Sequence, residues 1–122
     1  MKRFAAVLGV VLLAGGPVAA QGAAAAPDSV TITGQVVDLS CYTLNGASGE
    51  GHKQCAQVCA DKGITLGILA DGTIYIPLGT GMANAQNARF REFAEGRVKV
   101  TGRHRFANGV HTIEVQSVTA AS

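Results

Sequence analysis

The chain has 122 residues, room for one domain, and 48% of them are hydrophobic against 15% charged. Ten Lys and Arg face eight Asp and Glu, a formal charge of +2. Two of the ten lie in the opening MKR, and without them the chain is balanced, which argues against a nucleic-acid binder that collects phosphates with a basic excess.

MKR is followed by the apolar run FAAVLGVVLLAGG and the small-residue stretch PVAAQGAAAAP, the order of a secretory signal peptide. Val18 and Ala20 suit the specificity positions of a cleavage after Ala20 or a few alanines later. The apolar run is shorter than the roughly 20 residues that span a bilayer, and no cysteine stands at its end for a lipid anchor. The expected organisation is a signal peptide over 1–20, a flexible lead-in over 21–28 and one domain over 29–122. Its expected location is periplasmic or secreted, with no membrane span in the mature chain.

From Ser29 the sequence SVTITGQVVDL alternates, with Val30, Ile32 and Val36 on one face and Thr31, Thr33 and Gln35 on the other. This predicts a first strand, bent at Gly34 and closed by Cys41. A Gly-rich loop, Asn45 to Gly51, comes next. Residues 52–62 contain no Gly or Pro and stop at Gly63, which predicts a helix. ITLGILA and TIYIPL read as two strands joined at Asp71-Gly72. NAQNARFREFAEG, residues 84–96, reads as a second helix with Asn87, Phe90 and Ala94 on one face. RVKVTGRHRF and VHTIEVQSV read as a final hairpin turning at Asn108-Gly109.

This order predicts a mainly β fold, an OB-like five-stranded barrel. One helix would lie in the first inter-strand loop and a second between strands 3 and 4. An open α+β sheet has the same element order.

HKQCAQVC holds the chemistry. On a helix, His52, Cys55 and Cys59 stand at i, i+3 and i+7, within a sector of about 60°. Cys41 can reach that face if the Gly-rich loop folds back. The result is Cys-x10-His-x2-Cys-x3-Cys, with Cys41, His52, Cys55 and Cys59 as a candidate metal set.

Three readings stand open. The set can bind zinc, which takes Cys3His as a closed structural site, or Cu(I), which thiolates favour at low coordination number. Cys41 can instead form a disulfide with Cys55 or Cys59, leaving one odd thiol. The cysteines can also be inert apolar residues, although free thiols outside the cell are exposed to oxidation. A thiol-redox role for Cys55 or Cys59 needs a depressed thiol pKa.

The stretches GQVVDLSCY, GEGHKQCAQVCADKGITLGIL and DGTIYIPLG resemble a family of small uncharacterised exported bacterial proteins. The resemblance covers about half of the mature chain and rests on Cys41, Tyr42, Gly51, His52, Cys55, Cys59, Gly63 and the Asp71-Gly72 turn. It implies an OB-like exported domain with a Cys/His site and supplies no reaction. The Cys-x3-Cys pair with a nearby histidine is also similar to the ligand sets of some copper chaperones. It departs from them in that the histidine precedes the pair and no methionine follows closely.

Pairing across the last turn would set His104 opposite Ile113 and His111 opposite Phe106, which makes the two histidines diagonal neighbours on the inward face. Arg103 and Arg105 would then point outward. Tyr42 and Tyr75 read as core or rim aromatics. No Ser-His-Asp order, carboxylate pair, phosphate loop or haem attachment motif is present, so no enzyme is expected. The expected partners are a metal ion, Zn2+ or Cu+, and an envelope protein.

Overall fold

The computed structural model describes residues 28–122; the expected signal peptide and all but the last residue of the lead-in lie outside them. Five strands carry the domain: β1 (Ser29–Asp38), β2 (Leu66–Ala70), β3 (Thr73–Leu78), β4 (Arg97–Ala107) and β5 (Val110–Ala120). They form one sheet in the order β1-β2-β3-β5-β4, and β1 pairs with β4 to close the ring. All neighbours are antiparallel except β3 and β5.

Both expected hairpins are present. Asp71 and Gly72 take φ of 48° and 75°, and Asn108 and Gly109 take 53° and 79°. Two successive residues at positive φ twist a two-residue turn in the sense its strands require. β1 serves two neighbours: Ser29 to Gln35 pair with β4, and Gln35 to Asp38 pair with β2. Gly34 lies at the change of partner, where a Cβ would come 2.5 Å from the Leu69 carbonyl oxygen. The glycine at which a bend was expected is thus required by the close approach of β2.

Alternating strand residues fill the ring. Val36, Leu66, Ile68, Val98, Val100, Ile113 and Val115 pack with Phe90 and Ala60 from the helical connections. Burying side chains of this size contributes about 1.5–3 kcal/mol each.

The helices differ from expectation. The connection from β1 to β2 carries two, α1 (Leu39–Asn45) and α2 (Lys53–Asp61), with a 3-10 turn at Glu50–His52 before the second. Cys41 therefore lies on α1 and does not close β1. The physical reason is Asp38, whose Oδ1 accepts the backbone N–H groups of Ser40 and Cys41 at 2.8 and 3.1 Å and caps the helix. Gly46, at φ 66°, ends it.

Between β3 and β4 the expected long helix is one turn, α3 (Asn87–Phe90), followed by a 3-10 turn at Arg91–Phe93. It stops there because Ala94 becomes extended and Glu95 takes φ 63°, so that the Glu95 N–H reaches the Val36 carbonyl at 2.8 Å. The expected inner face holds: Phe90 and Ala94 are buried, and Asn87 bonds Leu66 N, Ala60 O and Ile64 O. Among the described residues no helix is long and apolar enough to cross a membrane.

Candidate metal centre

The site forms where β1 passes into the helical connection. α2 buries Ala56 and Ala60 and leaves Cys55 exposed and Cys59 half-buried. Cys41, on the first turn of α1, faces them and is also half-buried. All three are free thiols, and their Sγ atoms lie within 4.8 Å of one another. The i, i+4 pair on α2 and the thiol from α1 thus meet although no local spacing joins Cys41 to them.

His52 ends the 3-10 turn immediately before α2. Its ligand nitrogen groups with Cys41 and Asp38, again within 4.8 Å of one another, and not with the three thiols as one set. The four residues singled out in the sequence therefore converge on Cys41 as two overlapping triads. Asp38 belongs to the second triad and was not singled out. It is fully buried, and its Oδ2 has no hydrogen-bond partner.

His52 Nδ1 lies 2.8 Å from Oε1 of Glu95. Glu95 Oε2 accepts the Gly49 N–H at 2.8 Å and the Gln35 Nε2 at 3.1 Å, and the Glu95 side chain is wholly buried. One carboxylate thus ties the glycine loop, β1 and the histidine together. With Nδ1 occupied, Nε2 is the nitrogen left for a ligand, as in carboxylate–histidine–metal arrangements.

Two of the thiols, Cys59 and Cys41, are held protonated. Cys59 is pushed up to about 12, first by hydrogen bonding of its thiol to the Asp38 carboxylate, then by burial and by the charges of Asp38 and Cys55. Cys41 is also raised, first by burial, then by Asp38 and Cys55. This is the reverse of what a nucleophilic or redox thiol requires. A bound cation opposes each of these effects, because it replaces the thiol proton and offsets the carboxylate charge.

Asp38 and Glu95 are the site residues that sequence reasoning missed. Asp38 had a local signal, an Asp before LSCYTLN with Gly46 eight residues on, the pattern of a capped helix. Glu95 had none, since it sits 43 residues from His52.

His104 and His111 form a separate cluster at the expected register, His104 opposite Ile113 and Phe106 opposite His111. His104 Nε2 and His111 Nδ1 are 3.0 Å apart, with ring planes 6° apart and centroids at 5.2 Å. Those three values place the rings edge to edge, so the nitrogen lone pair of one points at the N–H of the other. Tyr75 meets both rings edge-on, and Phe106 tilts over His111 at 4.4 Å. The arrangement is a satisfied imidazole pair.

No family model matches the chain, and neither a curated protein nor a solved structure matches it.

Proposed function

We propose that this is an exported metal-binding protein in which the thiolates of Cys41, Cys55 and Cys59 hold a zinc or Cu(I) ion, with His52 as the imidazole ligand. The observation that carries the reading is the convergence of three free thiols within 4.8 Å on a scaffold that orients an adjacent histidine through a buried carboxylate. Thiolates with imidazole suit zinc, and thiolates alone at low coordination number suit Cu(I). The exposure of Cys55 opens the ion to solvent, which fits exchange with a partner in the envelope better than a sealed structural site.

The scaffold reads as an OB-like barrel. The closed order β1-β2-β3-β5-β4, the parallel β3–β5 pair and a short helix before β4 support that assignment. The leading MKR, apolar and Ala-rich segments support export to the periplasm or beyond.

The closeness of the thiols favours one competitor from another class: a disulfide from Cys41 to Cys55 or Cys59, stapling an interaction module. The two separate under anaerobic titration of the reduced protein with Co2+. Metal binding gives intense thiolate-to-cobalt absorption that Cys55→Ser or Cys59→Ser weakens. Absence of that absorption, with a single disulfide forming on exposure to air, overturns the metal reading.

A further inference from the structure

Two overlapping triads share Cys41, and together they present five donors: three sulfurs, one imidazole nitrogen and one carboxylate oxygen. A tetrahedral ion uses four. Asp38 is fully buried, its Oδ2 meets no N–H or O–H donor among the described residues, and its neighbour is the Cys59 thiol. Once Cys59 is a thiolate ligand it has no proton to offer, so a buried Asp38 carboxylate that ligates nothing would face an anion, and direct ligation removes that cost. Among the described residues no Lys or Arg forms an ion pair with Asp38.

Resting on the metal-binding reading above, we propose that the centre holds two divalent ions bridged by the Cys41 thiolate. The first lies among Cys41, Cys55 and Cys59, and the second among Asp38, Cys41 and His52. Charge supports the pair: three thiolates, the Asp38 carboxylate and the buried Glu95 carboxylate behind His52 carry five negative charges, of which one dication would offset two and two dications offset four. A thiolate sulfur has lone pairs enough for two metals, and Cys41 is the one sulfur common to both groups. The donors also divide by softness. The first triad is all sulfur, whereas the second mixes sulfur, nitrogen and oxygen, a set suited to zinc and poorly suited to Cu(I). Binding releases the thiol protons to solvent, and Glu95 engages Nδ1 of His52, which leaves Nε2 as the nitrogen for the second ion.

The test is the zinc stoichiometry of the reduced full domain, by native mass spectrometry and by 113Cd NMR after exchange with cadmium. Two ions per chain and two cadmium resonances are expected, one of them at the position of sulfur-rich coordination. Asp38→Asn preserves the cap on α1 through its side-chain oxygen and removes the charge. It should keep the sulfur-rich resonance, lose the other and bind one zinc. His52→Ala should do the same, and Cys41→Ser should disturb both ions. One ion in the wild type overturns the bridged pair and leaves the metal-binding reading standing, and no ion overturns both. An Asp38→Asn protein that still binds two ions also contradicts the proposal.

Discussion

His52 Nδ1 stands 2.8 Å from Oε1 of Glu95, a residue 43 positions further along the sequence whose side chain is wholly buried. The same carboxylate accepts the Gly49 N–H and the Gln35 amide. Glu95→Ala removes the orienting partner and leaves the Gly49 N–H without its acceptor. The expected loss is about 1–3 kcal/mol of stability in urea unfolding and roughly 10–100-fold in zinc affinity by chelator competition. Wild-type affinity in Glu95→Ala would remove the orienting role.

Asp38 is the leading cause of the raised Cys59 pKa, about 12 against an ordinary 9.0. The metal-free protein should therefore alkylate slowly at Cys59 at pH 8, and Asp38→Asn should speed it. The sign for stability follows from the same shift. A thiol whose folded pKa is raised stabilises the metal-free fold fully below pH 9.0, and that contribution is lost as pH climbs toward about 12. Urea midpoints of the metal-free protein should fall over that window, and the fall should be smaller in Cys59→Ala.

Much of the scaffold was legible because its signals are local. Asp71-Gly72 and Asn108-Gly109 announce their hairpins, and the alternation of Val98 and Val100 with Lys99 marks one buried face. The two histidines fell at their expected register because that register is counted from a two-residue turn. The site was half legible. Cys55 and Cys59 share one face of α2 as their i, i+4 spacing requires, but His52 ends the 3-10 turn before α2 and groups with Asp38 and Cys41 instead. Placing Cys41 at the end of a strand failed because Val36, Val37 and Leu39 extend the apolar look of β1 across a cap that depends on the Asp38 side chain. The length of the second helix failed because the Glu95 backbone is claimed by Val36, a contact between distant segments.

Asn87 joins three segments through one amide, donating to Ala60 O and Ile64 O and accepting from Leu66 N. Asn87→Ala removes the side-chain partner of Ile64 O and Leu66 N where α2 passes into β2, while Ala60 O keeps the Gly63 N–H at 3.0 Å. It should cost about 1–3 kcal/mol in urea unfolding. Zinc stoichiometry should stay that of the wild type, since Asn87 lies outside the thiol cluster. Loss of stability below that range would show that water replaces the amide.

Arg91 grips Asp61 with two hydrogen bonds, 2.6 and 2.9 Å, at an exposed position between α2 and the turn after α3. The Arg91 guanidinium holds the Asp61 carboxyl below its usual value of 3.8. A depressed carboxylate pKa stabilises the fold above pH 3.8 and loses that contribution as pH falls further. Asp61→Asn should thus lower Tm slightly at pH 7, less so in high salt, and not at all at the acid end. An equal Tm loss at both extremes of pH would assign the effect to packing.

The central claim is that three thiols converge to hold a metal. Its most direct test is native mass spectrometry of the full chain expressed with its leading segment and purified without chelator, alongside a count of free thiols. The account predicts bound zinc or copper that is lost in Cys55→Ser. A metal-free protein two hydrogens lighter than its sequence, with one free thiol, would contradict it.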